Sequence, residues 1–112
     1  MTDLFAGIPV RDFATALPWY ERLLGSAPAF YPHETEAVWM LAEHQYLYIV
    51  QRPEHAGHSI VTVMVDDLET LVAAISDRGI AMERRENFPN RILKVTFRDP
   101  DGNEVAFGGP DR

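Results

Sequence analysis

The chain has 112 residues, no cysteine and 46% apolar residues, and 17 acidic against 10 basic side chains give a formal charge of −7. That length suits one compact domain, 1–112, able to bury about two-thirds of the surface its unfolded chain exposes. A disulfide scaffold, a thiolate metal site and a cysteine nucleophile are excluded, no apolar run approaches the roughly 18 residues of a membrane span, and an acidic chain with scattered arginines speaks against a nucleic-acid partner.

The first strand is read at Leu4–Val10. Phe13, Leu17, Tyr20, Leu23 and Leu24 then share one helical face behind Asp12, with Gly25 as the stop. Pro18 is tolerable only in a first turn, so the regular helix is expected to begin near Thr15. Strands follow at Ala29–Tyr31, Ala37–Ala42 and Tyr46–Gln51. The breaker-rich stretch Arg52-Pro53-Glu54-His55-Ala56-Gly57 reads as a joint. Beyond it come a strand at Ser59–Val65 and a helix carrying Leu68, Leu71, Val72 and Ile75. Asp66 and Glu69 have capping-box spacing at the start of that helix, and Gly79 ends it. Ile80–Arg84, Arg91–Arg98 and Glu104–Gly108 complete the strands. Asp99-Pro100-Asp101-Gly102 is a type I turn signal that makes the last two strands a hairpin.

The order strand–helix–strand–strand–strand therefore occurs twice. An offset of 55 takes Val10-Arg11-Asp12-Phe13 to Val65-Asp66-Asp67-Leu68, Leu17 to Val72 and Tyr20 to Ile75. The units run from about 1 to 53 and from about 57 to 112. With Trp19-Tyr20-Glu21-Arg22-Leu23-Leu24-Gly25 and Asp99-Pro100-Asp101-Gly102-Asn103-Glu104, this plan resembles the vicinal oxygen chelate superfamily: glyoxalase I, extradiol dioxygenases, and bleomycin and fosfomycin resistance proteins. The resemblance implies an α+β fold of two tandem βαβββ units, each rolling a mixed sheet into half a cup with its helix outside. It also implies a homodimer.

In a cup of that kind, strand alternation puts Phe5, Gly7 and Pro9, Tyr46, Tyr48 and Val50, Ile60, Thr62 and Met64, and Glu104, Ala106 and Gly108 on the inner face. Metal-dependent members of the family carry His or Glu at four inner positions, which correspond here to Phe5, Ile60, Ala106 and Tyr48. Phe, Ile and Ala offer a divalent cation no lone pair, and one phenol does not hold it. No metal site, cofactor or catalytic residue is therefore assigned. His55 and His58 lie in the joint and do not make a rigid ligand pair, although His58 shares the parity of Ile60. The candidate ligand-binding residues are Phe5, Trp39, Tyr46, Tyr48, His58, Ile60, Met64, Phe88, Glu104 and Ala106, with the facing of Trp39 and Phe88 undetermined. Phe5, Tyr46 and Tyr48 suit either core or pocket, and Glu104 either a surface place near the turn or a partner for a cation. Trp19 and Tyr20 read as core.

These readings point to a metal-free protein resembling the bleomycin-resistance branch, which sequesters a small aromatic or cationic molecule. An alternative is a glyoxalase-like lyase or isomerase, or a dioxygenase, with an atypical metal site; a third is an interaction module with its cup packed shut. Met1-Thr2-Asp3 places an acid where a secretory signal carries bases, so the expected location is cytoplasmic, with neither membrane nor nucleic acid as a partner.

Overall fold

The computed structural model describes residues 1–111. The elements are β1 (Leu4–Val10), α1 (Phe13–Leu24), β2 (Phe30–His33), β3 (Glu36–Ala42), β4 (Gln45–Gln51), β5 (Ile60–Met64), α2 (Leu68–Asp77), β6 (Arg84–Phe88), β7 (Ile92–Arg98) and β8 (Glu104–Pro110). They form two four-stranded sheets, ordered β1-β4-β3-β2 and β5-β8-β7-β6. In each, the first strand runs parallel to the last and the others are antiparallel. The fold is α+β, and the second unit repeats the first in element order and sheet order.

Alternation along β1 and β4 turns Ile8, Val10, Leu47 and Ile49 toward the helices, where they are fully buried. On the second sheet Leu93, Val95, Phe97, Val105 and Phe107 do the same. With Tyr20, Trp39, Leu68 and Ile75 they form one hydrophobic cluster that crosses from half to half. The 55-residue offset pairs buried helix residues twice, Phe13 with Leu68 and Tyr20 with Ile75.

A polar network ties the halves together inside that cluster. The Tyr20 hydroxyl donates to Asp99 Oδ2 at 2.7 Å, from α1 of the first half to the β7–β8 turn of the second. Asn103 donates through Nδ2 to the Pro9 carbonyl and to Asp99 Oδ2, each at 2.9 Å. Its Oδ1 accepts the Gly57 and Ser59 amides at 3.1 and 3.0 Å. Asp99 Oδ1 accepts the amides of Asp101 and Asn103. All three side chains are buried, and burial, reinforced by the charge of Asp99, raises the Tyr20 phenol far above its ordinary range. At the other end of the inter-half contact, Arg78 donates to the Arg22 and Leu23 carbonyls at the C-terminus of α1, where a cation complements the helix dipole.

Several boundaries depart from the sequence expectation. Helix α1 begins at Phe13 rather than near Thr15, because Gln51 on β4 reaches across to accept the Phe13 amide at 2.9 Å. Pro18 thus lies inside the helix and forfeits only the bond to the carbonyl of exposed Ala14. The N-cap of α2 is Asp67, not Asp66: its carboxylate accepts the Thr70 amide at 3.3 Å and the Thr70 hydroxyl at 2.8 Å. Strand β6 starts at Arg84, where the expected strand at Ile80–Arg84 ends. The reason is Ile80, which follows left-handed Gly79 into the core and bonds back to the Ile75 carbonyl, so ladder contact with β7 resumes only at the Glu83 amide. Strand β2 is displaced to Phe30–His33, β1 stands at Leu4–Val10 as expected, and the other strands keep one end or shift an end by one or two residues. The β7–β8 turn closes as expected, through the Gly102 amide to the Asp99 carbonyl.

Tyr20→Phe keeps the ring in the core but leaves the buried Asp99 carboxylate short of a donor. The expected loss is about 1–3 kcal/mol in urea unfolding. A loss below about 0.5 kcal/mol would show that Asp99 does not depend on this hydroxyl.

Candidate functional site

The sheet faces turned away from the helices carry the candidate site. On the first sheet the register aligns Phe5, Tyr46 and Met40 in one row and Gly7, Tyr48 and Val38 in the next. Phe5 and Tyr46 stack with ring centroids 4.4 Å apart and planes 9° from parallel, a contact worth about 0.5–1.5 kcal/mol beyond its buried area. Tyr48 lies across Gly7, where a Cβ would overlap its ring. The missing side chain at residue 7 is what lets the phenol lie flat on the sheet.

On the second sheet the rows are Ile60, Glu104 and Arg98; Thr62, Ala106, Thr96 and Arg84; and Met64, Gly108, Lys94 and Glu86. The Met64 thioether rests over Gly108, with Sδ 2.8 Å from where a Cβ would stand. Glu104 is flanked by guanidinium groups, with Arg84 Nη2 at 2.8 Å from Oε1 and Arg98 Nη2 at 3.6 Å from Oε2. Arg84 also holds Glu86 through Nε at 3.1 Å, and Arg98 holds Glu83 at 2.9 Å. The Arg84 hydrogen bond, with smaller contributions from the charges of Arg84, Arg98 and Lys94, keeps the Glu104 carboxyl below its ordinary range against an opposing desolvation effect.

Both faces are open in the single chain. Phe5 is 48% exposed, Met40 59%, Ile60 71% and Met64 61%. The edges of β1 and β5 flank a crevice of about 260 Å³ whose lining includes Leu4, Gln45, Tyr46, Thr62 and Met64. A second recess of about 200 Å³, bounded by Leu23, Trp39, Val63, Leu71 and Phe107, lies on the helix side.

Of the residues singled out from sequence, Phe5, Tyr46, Tyr48, Ile60, Met64, Phe88, Glu104 and Ala106 fall on the outward sheet faces by register, although Ala106 is buried there. Two are placed elsewhere. Trp39 is in the core, near Tyr20, with its indole N–H donated to the Ser26 carbonyl at 2.9 Å; its parity on β3 is that of Ala37, opposite Ile49, on the helix side. His58 is an exposed residue just before β5. Sequence reasoning missed Met40, Arg84, Lys94, Thr96 and Arg98. Alternation along Ala37–Ala42 and Arg91–Arg98 carried the signal for four of them, and the displaced start of β6 hid Arg84.

The register also fixes the equivalence of the halves. Gly7 lies beside Tyr48 as Thr62 lies beside Ala106, and Phe5 beside Tyr46 as Ile60 beside Glu104. Phe5, Tyr48, Ile60 and Ala106, at the positions tied by resemblance to a metal, supply a single phenol among them. Among the described residues no three His, Asp or Glu side chains are grouped to hold an ion. Glu104, the carboxylate nearest those positions along the strand, is engaged by arginines. This donor set does not fit a divalent cation.

The profile of the Glyoxalase/Bleomycin resistance protein/Dioxygenase superfamily matches residues 4–107. The chain belongs to that superfamily. It is similar to a glyoxalase/bleomycin resistance protein from Catenulispora acidiphila, with 53% identity over 97% of this chain and 98% of that one and a TM-score of 0.94. The fold is also that of the bleomycin resistance determinant of transposon Tn5, at 19% identity over the whole of both chains and a TM-score of 0.80. A lactoylglutathione lyase from Agrobacterium tumefaciens shares it too, at 18% identity over 96% of this chain and 92% of that one and a TM-score of 0.79. No curated protein sequence matches significantly.

Because the Glu104 carboxyl is held low, its charge and its pairing with Arg84 persist below the usual carboxylate range and are lost only as pH falls through the lowered value. A carbon-detected NMR titration should give Glu104 a midpoint below that of an ordinary Glu, and Arg84→Leu should return it toward normal. An unchanged midpoint in the variant would show that Arg84 is not the cause. Separately, Gly7→Ala should tilt the Tyr48 ring off the sheet. Its near-UV circular dichroism should change while stability falls by no more than about 1–3 kcal/mol.

Proposed function

We propose that this protein is a metal-free binding protein that sequesters a small aromatic molecule against its outward sheet faces, in a cup completed by a second copy of the chain. The observation that carries the reading is the exposed Phe5–Tyr46 stack beside a Tyr48 laid flat on Gly7. These rigid aromatic surfaces stand at positions that supply only one phenol oxygen among them, and such surfaces bind flat ligands with little loss of conformational entropy. A cationic ligand, which the charge of −7 would attract, finds Glu104 already paired with two arginines, so ring stacking rather than ion pairing leads recognition. The exposed apolar side chains on both faces support pairing of two chains, since burying them together removes apolar area from water. A solved structure of the same fold is described as a bleomycin-binding protein complexed with bleomycin, at 19% identity over 97% of this chain and 98% of that one with a TM-score of 0.78, which lends support to a small-molecule ligand.

The test is thermal unfolding across a panel of flat aromatic compounds, bleomycin among them. A binder at 100 times its dissociation constant should add about 2.7 kcal/mol. The doubly substituted Phe5→Ala, Tyr46→Ala variant should lose that gain. Native mass spectrometry should show a dimer. Failure of every aromatic compound to shift the transition would sink the reading. So would a stoichiometric metal in protein purified without chelator, which would favour the glyoxalase-like alternative.

A further inference from the structure

Two cavities adjoin at the seam between the sheets. Leu41 and Val63 line both the crevice flanked by β1 and β5 and the recess beside Trp39 and Phe107. No ladder closes this seam: β1 and β5 each pair on one side only, and among the described residues no backbone hydrogen bond joins them. The halves are stitched at the far ends of the two strands, where Asn103 donates to the Pro9 carbonyl and accepts the Ser59 amide. The crevice lies toward the opposite ends, lined by Leu4 and Ala6 of β1 and by residues 61–64 of β5. It leads from Tyr46 and Met64, past Leu41 and Val63, to the recess on the helix side.

The lining selects the chemistry of a guest. On a chain with 24% charged residues, no charged side chain lines either cavity among the described residues. The recess is walled by Leu23, Leu24, Trp39, Leu71 and Phe107, with the side chain of Ser26 at one side. The Trp39 N–H is already given to the Ser26 carbonyl. A polar group moved into the recess would leave water and gain few partners, whereas hydrocarbon gains by leaving water. The volume is about 200 Å³. A cavity of about 150 Å³ takes one benzene, so this one suits a chain of about six carbons.

The position of the recess says what such a chain is attached to. Tyr46, stacked on Phe5, lines the crevice with Met64. A ring seated there stands at the mouth of the passage, and a chain carried by that ring reaches the recess over Leu41 and Val63 without leaving apolar surroundings.

We propose that the helix-side recess is a subsite for an unbranched alkyl chain, and that the molecule held is a neutral alkyl-aromatic compound with its ring at Tyr46 and Met64. This rests on the binding function proposed above and narrows its ligand class.

Titration calorimetry with 2-naphthol and its 6-n-alkyl derivatives, from methyl to octyl, tests it. Each buried methylene should tighten binding about fourfold, and the gain should stop near about six carbons, where the recess is full. Leu71→Trp, at a half-buried position on α2, fills the recess and should flatten the series while 2-naphthol binds as before. Leu24→Trp should do the same from the end of α1, so one folded variant suffices. A series without chain-length dependence, or one unchanged in a folded variant, overturns the chain subsite and leaves the aromatic binding function standing. Loss of the dimer in native mass spectrometry of a folded variant does the same, since it gives the recess to a second copy. Binding of none of the compounds up to their solubility limits overturns both.

Discussion

The contact on which the arrangement of this molecule depends is the bond between the Tyr20 hydroxyl and Asp99. Each half has a sheet and a helix of its own, but neither closes its core alone, and the hydrophobic cluster runs through both. What fixes one half against the other is a buried carboxylate with four donors on it: one phenol, two backbone amides and the side-chain amide of Asn103. A buried charge is tolerated only when it is satisfied in this way. The turn, the joint and the end of β1 are thereby held in one geometry, and the direction in which each sheet presents its outward face follows from it.

That geometry separates two kinds of surface. Toward the helices the packing is largely apolar, interrupted by the Tyr20–Asp99–Asn103 network and by the recess beside Trp39 and Phe107. On the outer faces the first sheet offers rings and a thioether, whereas the second offers a lattice of arginine–glutamate pairs around Lys94. Glycine serves opposite ends here: Gly7 accommodates Tyr48 on β1, and Gly108 accommodates Met64 on β8. The halves share a common backbone plan and differ in the chemistry of the face. A fold of this kind hosts many activities, so the function proposed above is argued from the side chains and not from the architecture.

Most of the architecture was legible in the sequence because it is written in two periods that the eye can separate. The 55-residue offset and the Asp99-Pro100-Asp101-Gly102 turn fixed the duplicated plan, and alternation along β1, β4, β5 and β8 assigned the aromatic and thioether positions. Element ends were less legible wherever a distant partner decides them. Gln51, 38 residues away, accepts the first amide of α1 beside the N-cap Asp12, and nothing near Phe13 announces that distant partner. Ile80 reads as strand by composition but belongs to the packing under α2. Trp39 was ambiguous because an aromatic residue suits core and pocket equally. The charged wall was the least visible part of the site: Arg84, Arg98 and Glu104 are far apart in the chain, and only the register of three strands brings them together.

The joint between the halves illustrates how sequence character and structural freedom part company. Residues 52–57 have the proline, glycine and charge of a loop that tolerates change. Yet Gly57, at a φ of +96°, donates its amide to Asn103, and any side chain there would run into the Asp101 carbonyl. The connector is a fastening whose length is set from both ends. Engineered inserts, affinity tags or fused domains belong instead in the exposed hairpin around Glu43, and the spacing between the two repeats is the part of this chain least free to drift.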